Sequence, residues 1–402
     1  MNYKNFLKDF LFIFSFMTYL SFSIFSRSFY YKYFYAGHIF TYIVMFCFLL
    51  LLLKELIASQ ITLREILSFL ICLFMFMIIR HWNNTPIAAL PIFIFSGRNV
   101  NLERVLKAAI VTSLASLVVI ILSAKLGIIT DHVGVSQFRI RHYLGFTYIL
   151  FPSAIFFNIT AMIIYIYKDK LKLTLLMLLL LGNYYFYVMT RSNLSFYLAV
   201  VLIILSFFAR KNNFKSHFAF LSCFSYIIFF VISYLIIRNY SPSNLWMYHL
   251  NLILENRIAL GQESLDLFGI HLFGSDVQWQ GFGLDFNNGV VPIGNYLYVD
   301  NFYINILQQY GIIYTFLFIL FLTILLFKSY KKKNYYMVII LSMFAIHGLI
   351  DDLMDTLYYN TFLLAIGTAL FKTTDMKQKS IVKVVNKLKV EKENKTEKKL
   401  RN

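Results

Sequence analysis

Charge is scarce in this 402-residue chain, where only 14% of residues are Asp, Glu, Lys or Arg, against roughly 25% in soluble domains. With 59% hydrophobic residues, that shortage excludes an ordinary water-soluble domain and a disordered one. Cysteine is nearly absent. Cys47, Cys72 and Cys223 all lie inside apolar runs, which leaves no disulfide framework and no metal-ligand spacing. There is no Asp-x-Asp pair and no phosphate-binding glycine loop, so a metal-bound nucleotide-sugar site lacks its usual carboxylates. Acidic residues are also few, 19 against 37 Lys and Arg, for a net charge of +18. Their placement excludes a nucleic-acid partner, because eleven basic and four acidic residues fall between Lys372 and Asn402 and the rest lie in short loops.

What fills the chain is apolar sequence in runs long enough to cross the roughly 30 Å hydrocarbon core of a bilayer. Twelve candidates lie near 10–26, 37–53, 63–79, 85–97, 105–124, 143–167, 171–189, 193–209, 217–237, 301–327, 335–350 and 354–371. The fourth is the weakest, since Pro86 and Pro91 interrupt it. Runs without dyad alternation make helices and not a barrel. The expected fold is therefore all-α and polytopic, with eleven or twelve transmembrane helices over residues 1–371, one large loop at about 238–300 and a basic tail at 372–402. The first run has no small-residue cleavage site after it and reads as a retained helix.

Lysine placement sets an expected orientation, since short cytoplasmic loops are enriched in Lys and Arg. Lys54, Lys168, Lys170, Lys172, Lys211, Lys215, Lys328 and the Lys331 to Lys333 run fall in alternate loops with the tail, which puts both termini in the cytoplasm. Arginine runs the other way. Arg27, Arg80, Arg139, Arg141, Arg191, Arg238 and Arg257 fall on the expected outer side, against only Lys32 and Lys125. Arginine binds phosphate bidentately and remains charged when partly desolvated. Two readings of the set stand: anchors that pair with headgroups or with Glu255 and Glu263, or a site for an anionic ligand.

Three outer stretches carry candidate chemistry. Arg139-Ile140-Arg141-His142-Tyr143-Leu144-Gly145-Phe146 precedes the sixth run, and its donors would cluster at the lip of a helix. Thr190-Arg191-Ser192-Asn193 makes a tight turn in which Ser192 or Asn193 can cap the next helix. The long loop mixes Trp246, Trp279, Phe282 and Phe286 with many glycines, which predicts an ordered loop. It contains Arg257, then Gly281-Phe282-Gly283, and leads into Val299-Asp300-Asn301-Phe302-Tyr303-Ile304-Asn305. Asp300 stands either as an N-cap or as a general base. Asp351, Asp352 and Asp355 fall in a turn between the last two runs, read as solvated.

Taken in order, Arg-x-Arg-His-x-x-Gly-Phe, the Arg-Ser turn, Gly-Phe-Gly, Asp-Asn-Phe-Tyr and Gln-Tyr-Gly-Ile-Ile (Gln309 to Ile313) resemble the Wzy-type polysaccharide repeat-unit polymerases, the O-antigen polymerase and ligase-like membrane glycosyltransferases. The resemblance spans roughly residues 100 to 370. It implies transfer of a growing glycan from undecaprenyl diphosphate to the sugar hydroxyl of an incoming lipid-linked unit, on the outer face of the cell membrane, with no metal or other cofactor. Arg139, Arg141 and Arg191 would bind the donor diphosphate and Arg257 would position donor or acceptor. Asp300 or His142 would be the base, with Asn301 beside it; a His-Asn pair in the related ligases resembles Asp300-Asn301. Lipid-linked oligosaccharides and membrane lipids are the implied partners, with a flippase and a chain-length regulator as companions. The alternatives are a flippase or transporter of lipid-linked oligosaccharide, against which no half-to-half repeat is found, and a non-catalytic scaffold. In the tail, Ile381, Val384, Val385 and Leu388 share one helical face among lysines, which fits either an amphipathic segment on anionic lipid or a plain solvated tail.

Overall fold

In the computed structural model the residues described are 3–34, 38–57, 62–82, 85–136, 139–210, 216–281, 283–284 and 296–371. They form α1 (Tyr3–Phe25), α2 (Tyr31–Phe34), α3 (Ile39–Ile57), α4 (Leu63–His81), α5 (Thr85–Ser96) and α6 (Leu102–Lys125). A β-hairpin follows, of β1 (Val133–Ser136) and β2 (Arg139–His142). Then come α7 (Phe151–Tyr167), α8 (Leu173–Thr190), α9 (Asn193–Arg210), α10 (Ser216–Ser222) and α11 (Ser225–Arg238). The large loop contributes α12 (Leu245–Ile253) and α13 (Arg257–Phe268), and the chain continues through α14 (Phe302–Gln309), α15 (Gly311–Lys331) and α16 (Tyr335–His347). The compact unit is Met1–Phe371. Lys211, Lys215, Phe282, Phe286 and the basic tail from Lys372 lie outside the described residues.

The protein is an all-α, membrane-embedded chain, but twelve full-length spans are not what it forms. Among the described residues six helices are long and apolar enough to cross a membrane: Tyr3–Phe25, Ile39–Ile57, Leu102–Lys125, Phe151–Lys170, Leu173–Thr190 and Gly311–Lys331. Of the other apolar runs, α4 has 19 residues but carries Arg64, Glu65 and Arg80, and several of the rest are short or broken. α5 contains Pro91 and ends after 12 residues, as proline removes a backbone donor and clashes with the preceding turn. The run at 217–237 is split into α10 and α11 between Ser222 and Ser225. The last run is no α-helix: it comprises 3-10 turns at Leu353–Asp355 and Thr361–Leu364 and a π-turn at Gly367–Phe371.

The break between α14 and α15 positions the loop. Gly311 has φ +85 and Gly274 φ +88, and each sits where a Cβ would run into the other segment's backbone. That close approach lets His271 and Leu272 carbonyls accept from Ile312 N (3.0 Å) and Ile313 N (3.2 Å), while Gln308 O accepts from Ser275 N at 3.0 Å. The inserted loop thus satisfies backbone groups that the broken helix leaves open, the condition for irregular backbone at membrane depth.

At the opposite end of the bundle the few charges pair with each other. Arg98 Nη2 lies 2.7 Å from Glu55 Oε2 and 3.2 Å from Glu65 Oε1. Lys54, expected in a loop, is buried in the last turn of α3 and donates to Glu55 at 2.8 Å and to Ser96 O at 2.5 Å. This network ties α3, α4 and the α5 terminus together. The three cysteines are free and buried.

Candidate functional site

The Arg-x-Arg-His stretch folds as a strand and not as the lip of a helix, which corrects its expected setting. β2 pairs antiparallel with β1, Arg141 opposite Gly134 and His142 opposite Val133. Side chains alternate across a strand, so Arg139 and Arg141 share one face and His142 takes the other. Gly145, at φ +83, packs where a Cβ would meet Ile129, Ala124 and Ile120, and its carbonyl accepts from Phe29 N at 3.0 Å. These contacts hold the hairpin against α6 and the end of α1. α7 begins only at Phe151.

Arg139 and Arg141 face a cavity of about 180 Å³ that Arg191 and Arg257 also line, together with Ser192, Asn193, Glu255, His347 and Asp351. Four arginines from three separate sequence stretches therefore converge on one pocket. Arg191 sits at the C-cap of α8 in the left-handed region, φ 55, where glycine or asparagine is the usual choice. Arg257 opens α13 directly after two further left-handed residues, Glu255 (φ 53) and Asn256 (φ 66). Asn251 fixes that turn: its Oδ1 accepts from Ala259 N and its Nδ2 donates to Asn256 Oδ1, both at 3.0 Å. Of the four convergent arginines Arg191 alone adopts the left-handed region; beside Arg257 it is Glu255 and Asn256 that do.

The charges in this pocket are incompletely answered. Arg139 meets Glu255 at 3.4 Å, but both side chains are largely exposed, 42% and 63%, and such pairs contribute little. Arg141 Nε is buried with no hydrogen-bond partner, and burial, with Arg139 beside it, lowers its pKa. His347, buried at the end of α16, pairs its Nδ1 with the Tyr359 hydroxyl and places Nε2 3.6 Å from Asp351 Oδ2.

A second, larger cavity of about 580 Å³ lies beside the pocket, lined among others by Arg27, Tyr148, Trp279, Gly281, Tyr296, Tyr298, Asp300, Asp352, Asp355 and Tyr358. The reading of a solvated turn is corrected here: Asp355, in the chamber wall, is 3% exposed and Asp351, in the pocket, 6%. The turn folds inward because Leu353 N donates to Asp351 Oδ1 at 3.1 Å and the next residues form the 3-10 turn Leu353–Asp355. Asp352 accepts from the Tyr298 hydroxyl.

One ion pair joins the two cavities. Arg257 Nε, in the pocket, lies 3.1 Å from Asp300 Oδ2, in the chamber, with the side chains 22% and 13% exposed. Burial raises the Asp300 pKa against the lowering effect of Arg257. Burial opposes the charge of Arg257, yet Asp300, Tyr148 and Asp351 outweigh it and raise its pKa. Asp300 is not the helix cap. Asn301 caps α14, its Oδ1 accepting from Ile304 N at 3.1 Å and its Nδ2 donating to Ser233 Oγ at 3.0 Å and Leu349 O at 2.9 Å. The amide of Asn301 is thereby used up in structure and lines neither the pocket nor the chamber, nor does His142.

Asn301 instead borders a third cavity of about 220 Å³, an apolar slot between α11 and the large loop lined by Ile232, Ile236, Ile237, Leu250, Leu254 and Ile258. The slot and the arginine pocket share Leu254, Arg257 and Ile350. Apolar slot, cationic pocket and acidic aromatic chamber thus lie in series, with Arg257 at both junctions. Among the described residues no group of three or more His, Cys, Asp or Glu could hold a metal ion. Comparison with family models, curated proteins and solved structures returns no match.

Sequence reading picked out the four pocket arginines and Asp300. It missed Arg27, one of seven outer arginines with no motif around it, and the buried carboxylates.

Proposed function

We propose that the protein polymerises lipid-diphosphate-linked oligosaccharide repeat units of a bacterial surface polysaccharide, at the outer face of the cell membrane, with both termini cytoplasmic. The observation that carries this reading is the 3.1 Å contact of Arg257 Nε with Asp300 Oδ2. It joins the four-arginine pocket to a carboxylate that lines a chamber of aromatic and polar side chains, which supports a site for an anionic donor beside a base. The adjoining apolar slot supports a donor with a hydrocarbon tail, since one amphiphile with a diphosphate between prenyl chain and sugar matches the three cavities in their order.

In this reading Arg139, Arg141, Arg191 and Arg257 hold the donor diphosphate, each charge-assisted hydrogen bond contributing about 1.5–3 kcal/mol. The reacting sugars occupy the chamber. Asp300 takes the proton of the acceptor hydroxyl as its oxygen attacks the anomeric carbon. The bond from that carbon to the diphosphate oxygen breaks, its electron pair leaves with the diphosphate, and the new glycosidic bond has inverted configuration. The arginines favour departure because negative charge grows on the leaving diphosphate in the transition state.

Purified protein in lipid nanodiscs or proteoliposomes, supplied with lipid-diphosphate repeat units, tests the reading. Longer glycans are expected. Movement of the units across the bilayer without elongation identifies a flippase, and neither outcome leaves a scaffold.

A further inference from the structure

The chamber's own charge bears on which sugars it admits. Among the described residues three carboxyl groups line it, Asp300, Asp352 and Asp355, against a single cation, Arg27. Asp300 is paired with Arg257, whereas among the described residues neither Asp352 nor Asp355 has a basic side chain within 4.0 Å. Burial raises both, Asp352 to about 6 and Asp355 to about 8, and each is pushed further by a neighbouring aspartate. The cavity therefore resists even its own negative charge.

We propose that the chamber selects repeat units whose sugars at the reacting junction are neutral or carry an ammonium group, and rejects those bearing a carboxylate there. The proposal rests on the polymerase reading for the chamber's place in the reaction. An added sugar carboxylate meets two carboxyl groups answered only in part by Arg27, which acts on both from a distance and pairs with neither, in a setting where like charges repel strongly. A sugar ammonium meets the opposite field. The arginine pocket does not offset this, because Arg257 already answers Asp300 and the donor diphosphate would occupy the remaining arginines.

Binding decides the matter without turnover. Full-length protein carrying Trp82→Phe and Trp246→Phe, so that Trp279 in the chamber wall is the sole tryptophan, is placed in lipid nanodiscs at pH 8.5. It is titrated with matched trisaccharides in gluco, galacto and manno series, each as the neutral sugar and as its terminal uronate. In any series that binds, the neutral member is expected to quench Trp279 at least about tenfold more tightly, a difference of about 1.4 kcal/mol. Asp355→Asn should shrink the gap to about threefold or less, with Asp352→Asn as the substitute if the first variant does not fold. Uronates that bind as tightly as their neutral partners overturn the selectivity and leave the polymerase reading standing. Failure of every neutral and acidic member to bind overturns both, since the chamber is then no sugar site.

Discussion

The arginine pocket and the carboxylate chamber share a wall, yet they treat charge in opposite ways. The pocket gathers four guanidinium groups around about 180 Å³ and leaves Arg141 Nε without a partner. The chamber gathers three carboxyl groups and raises the pKa of each. Both are partly desolvated, so the contrast comes from which charges the fold supplies and not from burial alone. Arg257 and Asp300 are the one place where each side answers the other. A substrate with a diphosphate at one end and hydroxyls at the other fits this division of labour, whereas a uniformly charged ligand does not.

The largest effect that would break the comparison is at its junction. Asp300→Asn keeps size and removes the carboxylate, and if Asp300 is the proposed base polymer formation is expected to fall by about 10²–10⁴, the usual contribution of a general base. Chain length on a gel, at matched protein level in the membrane, measures it; undiminished polymer would return Asp300 to the role of a mere counter-ion for Arg257. Next comes Arg257→Lys. The point charge remains but the planar fork does not, and loss of one charge-assisted bond predicts roughly a tenfold to hundredfold reduction. Normal yield from Arg257→Lys and from the same change at Arg139, Arg141 and Arg191 would sink the diphosphate site.

A pH experiment sharpens the other half. Asp355 is held up to about 8 by burial, so the folded chain binds its proton more tightly than the unfolded chain does. Its contribution to stability is present below the ordinary carboxylate range, near pH 4, and is lost as pH rises through about 8. Thermal unfolding in nanodiscs of the wild type and of Asp355→Asn isolates this contribution: the stability of the wild type relative to the variant should decline across that window. A relative stability that rises with pH there would mean that the chamber welcomes negative charge at Asp355, contrary to the selectivity inferred for it.

The membrane class and the identity of the four arginines were legible because they rest on composition and on a counted exception to a topological rule. The span count was not. The helix break at Gly311 depends on a distant partner, the loop backbone at His271 to Gly274, and no local pattern announces it. Asp300 and Asn301 are each plausible caps in sequence, and only the hydrogen bond from Ile304 N assigns the role to Asn301. His142 was drawn toward the site by adjacency to two arginines. On a strand adjacency means opposite faces, so the inference failed once the segment proved to be β and not a helix entrance. Asp351 to Asp355 looked solvated because charge in a turn usually is; the inward fold follows from packing that sequence spacing does not encode.

The smallest expected effect is at Arg191, and it separates function from stability most cleanly. A non-glycine residue in the left-handed region costs roughly 1–2 kcal/mol, and Arg191 adopts φ 55 at a position that glycine takes without strain. Arg191→Gly also loosens the unfolded chain, which returns part of the gain, so a net stabilisation of about 0.5–1 kcal/mol is expected. If the arginine is retained for the diphosphate, the more stable variant must polymerise less, by about tenfold or more, and Arg191→Asn should behave in the same way because asparagine tolerates that backbone region well. A variant that is more stable and equally active would show that the strain serves the α8 to α9 turn alone, and the pocket would then be a three-arginine site centred on Arg257.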